Sequence, residues 1–283
     1  MNGLNNQRTY GVEIEFISNE WGQRDLLDRI NTQANSLELD MPKVYLASYS
    51  DTDSSKWRLK TDSSVSGGRG YGLELVSPIL KGENDMIILK TFMELLNSNH
   101  CDVNRTCGLH VHVGVRDWGV DQFKNLAKRY SKFEKAIDTV MPISRRESNG
   151  NYCRSHSNVT GTNLAEVFKT ISKCRTSREV AGFFQSGRYY KLNLDSFWKH
   201  GTVEFRHHSG TICPAKIENW TRVCMAMTVL ADEKRSVKVV AGETPSHFKN
   251  KLSSFMNGLV KTGQIDSTVR RFYTKRARAL CTS

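Results

Sequence analysis

No apolar run in this sequence reaches the roughly 18 residues that a membrane span requires, and the first ten residues, MNGLNNQRTY, lack a charged and then apolar export pattern. A cytoplasmic protein with no membrane partner is the expectation. The seven cysteines (Cys101, Cys107, Cys153, Cys174, Cys213, Cys224 and Cys281) are odd in number and never spaced as Cys-x-x-Cys. That argues against a disulfide framework and fits a reducing compartment, with most of them buried, inert thiols. Also missing are an internal repeat, a low-complexity segment and the regular strand-helix alternation of a doubly wound parallel sheet. Acidic residues are in deficit, 29 against 41 Lys and Arg, which gives a net charge of +12 and a pI near 9.4. Such a balance favours polyanionic partners, whether nucleotide, nucleic acid or acidic substrate, without choosing among them.

What is present describes an ordinary folded chain. Its 283 residues, 38% hydrophobic and 25% charged, suffice for one large domain with a substantial core. Strands are predicted near 10–17, 42–49, 56–61, 71–78, 107–115, 189–195 and 201–208. Helices are predicted over about 20–38, 84–98, 119–140, 162–173, 176–186, 214–234, 245–261 and 266–279. Thr176 with Glu179 has the spacing of a capping box, and Thr244 before Pro245 marks another helix start. Helix 214–234, with Trp220, Val223, Met227 and Leu230, is expected to pack internally. The loops 63–72 and 145–161 are rich in Gly, Ser and Asn, and the second is long enough to suggest a substrate loop or lid. The last helix carries Arg270, Arg271, Lys275, Arg276 and Arg278, with Val269, Phe272 and Leu280 as its apolar contacts. It reads either as a solvated face or as a contact to a phosphate backbone.

The chemistry lies in four strands that alternate apolar with ionisable residues. In YGVEIEF (10–16), Val12, Ile14 and Phe16 point one way, and Glu13 and Glu15 the other. In CGLHVHVGV (107–115), His110 and His112 share the face opposite Leu109, Val111 and Val113. Glu74 stands between Leu73 and Leu75 in YGLELVSP. Glu204, Arg206 and His208 oppose Val203 and Phe205 in TVEFRHH (202–208). Each motif alone has a blander reading, as the wet face of a sheet, a hydrogen-bonded histidine or a cross-strand ion pair. Together, as neighbours, they put Glu13, Glu15, Glu74, His110, His112, Glu204 and Arg206 on one face. Carboxylates so close raise one another's pKa unless cations neutralise them. Oxygen ligands with imidazole and no thiolate suit Mg²⁺ or Mn²⁺, and Mg²⁺ held by few protein groups commonly completes its shell with water and nucleotide phosphates. A nucleoside triphosphate is the expected partner.

GVEIEF, WRLKTDSSV…GLELVSP, CGLHVHVG, YKLNL and TVEFRHHSGT, in this order from about residue 9 to 211, resemble the successive motifs of the putative amidoligase family, within the superfamily of glutamine synthetase and glutamate–cysteine ligase. The resemblance implies an α+β fold with a glutamine synthetase-like catalytic domain: a curved antiparallel β-sheet forming an active-site funnel, with helices on its outer face. It implies an ATP- and Mg-dependent carboxylate–amine ligase. The γ-phosphate would pass to a carboxylate, and an amine would displace phosphate from the acyl-phosphate to give an amide or isopeptide bond. By similarity Glu15 and Glu74 sit on the metal beside the substrate, and His110 and Glu204 join Glu13 around the metal bridging the ATP phosphates. His112 then contacts nucleotide phosphate, Arg206 stabilises charge on the transferring group, Asp62 lies near the acceptor, and Asn193 makes a polar contact to substrate. Expected partners are ATP and an amino acid, peptide or polyamine, and the charge also admits a polyanionic acceptor such as nucleic acid.

The catalytic domain is expected over 1–235, with 236–283 a basic helical extension packed on it. Two departures from the superfamily stand out. No separate N-terminal β-domain is recognisable, and no flexible-loop acid is found, for which the loop 145–161 with Arg145, Arg146, Arg154 and His156 could substitute. Two other functions remain open: a phosphotransferase of the same fold, resembling the guanidino kinases, and a basic nucleic-acid-binding protein or metal-dependent nuclease, since two-metal carboxylate sites also cut phosphodiesters.

Overall fold

The computed structural model describes residues 8–48, 50–146, 152–185, 187–233 and 237–281. It is a mixed α+β protein whose strand pairs are mostly antiparallel. The strands are β1 (Tyr10–Ser18), β2 (Val44–Leu46), β3 (Trp57–Thr61), β4 (Tyr71–Val76), β5 (Cys101–Asp102), β6 (Gly108–Gly114), β7 (Leu192–Asn193) and β8 (Thr202–Ser209). The helices are α1 (Gln23–Asn35), α2 (Gly82–Ser98), α3 (Val120–Asp138), α4 (Ser157–Thr160), α5 (Leu164–Lys173), α6 (Ser177–Phe184), α7 (Ser196–His200), α8 (Pro214–Asp232), α9 (Leu252–Val260) and α10 (Ser267–Cys281). The chain divides into two compact units, the first covering residues 4–112 and 208–221, the second 113–207 and 222–283.

In the first unit the strand order is β2-β3-β4-β1-β6, with β5 also on β1. The alternation that defines β1 in the sequence decides its faces: Val12, Ile14 and Phe16 are essentially fully buried, each contributing about 1.5–3 kcal/mol of burial. Antiparallel pairing sets Glu15 opposite Glu74 across β1 and β4, and Lys60 opposite Glu74 across β3 and β4. Helix α1 packs on β2 and β3 through Leu26, Ile30 and Ala34, and against α2. Trp57 meets Phe92 of α2 at a ring-centroid distance of 4.5 Å. β2 pairs only with β3, in parallel, among the described residues, and leaves Tyr45 and Leu46 exposed. Lys43 and Lys56 stand over the Tyr45 ring at 5.6 and 5.4 Å.

The loop 63–72 is tightly folded. A Cβ at Gly72 would sit 2.5 Å from the Val65 carbonyl oxygen and 3.0 Å from that of Asp62, so glycine here permits the backbone to close behind Asp62.

The second unit is built on α3, which packs on α5, α6 and α9. Its apolar stripe includes Phe123, Leu126, Ala127, Tyr130 and Ile137. β7 and β8 pair antiparallel, with Asn193 opposite Glu204. Thr176 caps α6 as its spacing predicts, its Oγ1 accepting from the Glu179 N–H at 3.2 Å. Helix α8 buries Trp220, Val223, Met227 and Leu230 within the chain.

Three predicted elements differ. The single helix expected over 245–261 begins as a 3-10 helix, Pro245–Lys251, and becomes α-helical from Leu252, a tight start common at helix N-termini. The strand expected over 189–195 shrinks to two residues because the chain turns into α7 at Ser196, and the strand expected over 42–49 shrinks to 44–46. β5, α4 and α7 are too short to leave a periodic signal.

Candidate functional site

The first unit brings together, on the polar face of its sheet, carboxylates and imidazoles that could hold a metal ion. Glu13 Oε2 lies 3.2 Å from His110 Nδ1, and Glu13 Oε1 lies 3.5 Å from His112 Nε2. His110 Nε2 is 3.6 Å from Glu15 Oε1, while the backbone N–H of Gly108 donates to Glu15 Oε2 at 2.6 Å. Two triads of donor atoms each fall within 4.8 Å: Glu13, Glu74 and His110, and Glu15, Asp62 and Glu74. Glu74 belongs to both. Strand alternation explains the convergence, since Glu13 and Glu15 are two residues apart on β1, His110 and His112 two apart on β6, and Glu74 is the direct antiparallel neighbour of Glu15.

The electrostatics of this face are polarised. Burial, reinforced by the charges of Glu13, Glu15 and Asp62, pushes the Glu74 carboxyl well above the usual range, with Lys60 opposing only partly. Burial works to raise Glu13 as well, but hydrogen bonds and charge from His110 and His112 outweigh it and hold that carboxyl well below the usual range. Asp62 is oriented from its own loop, its Oδ1 accepting from the N–H and the hydroxyl of Ser64, both at 2.7 Å. These donors fit a hard divalent cation: three or more carboxylates and one imidazole per pair of sites, without thiolate.

Two cations on the same face were not singled out from the sequence. Arg58 and Lys60 are buried and flank Leu59, and both donate to the Asp51 carbonyl oxygen, at 2.6 and 2.7 Å. Their signal was available as the alternation in WRLKT, the same pattern that marks the glutamates.

In the second unit, three of the predicted residues form a cluster of their own. Asn193 Nδ2 donates to Glu204 Oε2 at 2.7 Å, and Arg206 Nη1 pairs with Glu204 Oε1. Asn193 and Glu204 are buried, at 8% and 4% exposure. On the other side of β8 lies a buried ionic network. His207 Nε2 is 2.7 Å from Asp138 Oδ1, and Tyr130 Oη is 2.7 Å from His207 Nδ1. Lys191 Nζ donates to Asp138 Oδ1 at 2.6 Å and lies 3.2 Å from Glu134 Oε1. Burial pushes the His207 pKa down, with the Lys191 charge adding to it. Asp138 resists burial through His207 and Lys191, which hold its carboxyl far below the usual range. The backbone N–H of Arg206 bonds to the Lys191 carbonyl oxygen at 2.8 Å, so this network supports the strand that presents Arg206. Of these partners His207 and Lys191 lie in motifs read from the sequence, TVEFRHH and YKLNL, without being singled out there. Glu134 carries a legible signal, because it interrupts the core stripe between Tyr130 and Ile137.

Of the loop 145–161, residues 147–151 lie outside the described residues. The remainder corrects one expectation. His156 does not reach toward phosphate: it is fully buried, its Nδ1 bonded to the Phe184 carbonyl oxygen at 2.8 Å and its Nε2 accepting from the Leu192 N–H at 3.1 Å. Burial pushes its pKa down to about 3. Arg146 is likewise structural, donating to the carbonyl oxygens of Met141 and Leu280.

Residues 6–228 match the family model described as "Putative amidoligase enzyme", which spans most of the chain. The chain belongs to that family. No match is found among curated proteins. Among solved structures, a bifunctional glutathione synthetase from Pasteurella multocida is similar at 10% identity and a TM-score of 0.47, with 98% of this chain and 47% of that one covered. The chain thus spans about half the length of that protein. Among the described residues, no helix is long and apolar enough to cross a membrane.

Proposed function

We propose that the protein is an ATP- and Mg²⁺- or Mn²⁺-dependent ligase that forms an amide or isopeptide bond through an acyl-phosphate, on a glutamine synthetase-like, funnel-shaped catalytic domain over residues 1–235. The observation that carries this reading is the sharing of Glu74 between two donor triads, which would let one sheet face hold two adjacent cations. Glu15, Asp62 and Glu74 would hold one ion. Glu13 and His110 would hold the other, with Glu74 shared between them, and the family resemblance adds Glu204 to that set. When bound, the ions would neutralise nucleotide phosphate and polarise the phosphoryl group.

The chain's own groups have separable tasks. Glu13, kept ionised by its two histidines, is ready to ligate without first losing a proton. The Gly108 N–H holds one oxygen of Glu15 and fixes the direction of the other. His112 is assigned to nucleotide phosphate. Arg206, oriented by Glu204, is assigned to the negative charge spread over the transferring phosphoryl oxygens. Asn193, held against the same carboxylate, is assigned a polar contact to substrate. No nucleophilic side chain is required, because phosphorylation itself turns a poor carboxylate electrophile into a good one, and an incoming amine then expels phosphate. The carboxylate donor is read as an amino acid or peptide. The odd number and scattered spacing of the cysteines support a reducing, cytoplasmic setting.

Isothermal titration of the intact protein with a non-hydrolysable ATP analogue tests the reading. Binding is expected with Mg²⁺, to be lost without it, and to be lost in Glu15→Ala. Metal-independent binding, or binding unchanged in the variant, would sink it.

A further inference from the structure

The charge of this protein is not evenly divided. Residues 113–207 and 222–283 hold 29 Lys and Arg against 13 Asp and Glu, a net of +16, while the rest of the chain holds 12 against 16, a net of −4. A single nucleotide needs far less positive charge than the second unit carries. On the exposed stripe of α10, Arg271, Lys275 and Arg278 recur at helical spacing, so they share one face over about 10 Å of helix. Arg276, on the opposite side, is turned inward to the Val140 carbonyl oxygen at 2.7 Å.

The same unit presents an aromatic pair to solvent. Tyr152 and Tyr189 are exposed, 47% and 42%, with ring centroids 5.7 Å apart and planes inclined by 30°. The Arg188 and Arg154 guanidinium carbons lie 5.2 and 5.9 Å from the Tyr189 ring centroid. This surface is rigid underneath. The Arg154 N–H bonds to the Tyr189 carbonyl oxygen at 2.8 Å, the Lys191 N–H returns to that of Arg154 at 3.2 Å, and Tyr190 stacks on the buried His156 ring. Near the end of α10, the Leu280 carbonyl oxygen accepts from Arg146 at 2.9 Å.

Exposed rings inclined by 30° and flanked by guanidinium groups offer flat faces to nucleobases, and a basic stripe matches a phosphate backbone. A duplex keeps its bases stacked inward, an acidic protein offers no series of π faces, and a bilayer offers no reason for the aromatic pairing. We propose that the second unit binds single-stranded nucleic acid, with bases stacking on Tyr152 and Tyr189 and phosphates held by α10. This does not depend on the ligase reading, since none of these residues belongs to the metal cluster.

Fluorescence anisotropy of the full chain with labelled mixed-sequence single-stranded DNA and RNA provides the test, with the corresponding duplex, heparin and ATP as competitors. Single strands are expected to bind and to resist competition by ATP. Tyr152→Ala and Tyr189→Ala should each weaken binding by about 5- to 150-fold, the range for loss of one stacked base, while Tyr189→Trp should retain it. Arg271→Glu with Lys275→Glu and Arg278→Glu should lower the slope of log affinity against log salt by about 2. Absence of binding at low salt would overturn the proposal. Equal competition by heparin and duplex with the tyrosine variants unaffected would overturn it too, as would loss of ATP binding rather than oligonucleotide binding on removing the tyrosines. Both rings are exposed, so circular dichroism should be unchanged in their variants.

Discussion

Glu15 and Glu74 face each other directly across β1 and β4, as partners in one antiparallel register. Like charges in this position destabilise a sheet unless something compensates. Here burial and the neighbouring carboxylates push the Glu74 carboxyl up, toward its neutral form, with Lys60 opposing only partly.

Metal-free stability should therefore respond to Glu74 in an unusual direction. Its pKa is raised on folding, so the folded state binds the extra proton, and stability falls as pH rises from the ordinary carboxyl range to the raised value. Glu74→Gln is expected to stabilise the metal-free protein at neutral pH by about 0.5–2 kcal/mol and to erase the shift in melting temperature on adding Mg²⁺. Thermal melts of both proteins with Mg²⁺ and with EDTA check this.

Histidine gives the opposite slope. His156, lowered to about 3, stays neutral in the fold while the unfolded chain takes up protons below about 6.5, and His207, also lowered by burial, acts in the same direction. Stability is fully present above that pH and is lost as pH falls from it, so the urea midpoint should drop steadily from pH 7 to 5. His156→Gln should flatten this dependence even if it lowers the midpoint at pH 7.

Removing the ammonium from the buried network should be costly. Lys191→Met leaves Asp138 and Glu134 buried without their cation, with an expected loss of about 3–5 kcal/mol in urea unfolding. A loss under about 1 kcal/mol would show that water reaches these carboxylates.

Backbone contact also controls the cluster. A Cβ at Gly210 would lie 2.3 Å from Cys107 Cβ and 2.9 Å from its carbonyl carbon, where the Gly210 N–H now bonds to the Cys107 oxygen at 2.7 Å. Gly210→Ala must displace the start of β6, and with it the Gly108 N–H that holds Glu15. A destabilisation of about 1–3 kcal/mol is expected, together with weaker Mg²⁺ binding by titration.

Period-two alternation made the polar face legible in advance, because in a strand the residue at i+2 shares the face whatever the tertiary context. For that reason Glu13 with Glu15 and His110 with His112 were readable as pairs, and helices of three turns or more were placed within a few residues. Partnerships between distant segments left no such trace. Nothing in the sequence distance between Asp138 and Lys191 indicates that they meet, and His156 sits in a polar stretch that resembles solvent-exposed loop. Arg58 and Lys60 obey the readable rule but lie beside a richer motif, so the alternation was visible and their burial was not.

The three-residue strand β2 leaves one rim of its sheet without a further partner among the described residues. An unprotected rim of this kind is a template on which a second polypeptide can add. Lys43 and Lys56, poised over Tyr45, mean that any incoming strand must displace two ammonium groups from an aromatic ring and desolvate them. The first unit thus carries its own safeguard against runaway self-association, and neutralising both lysines would expose it.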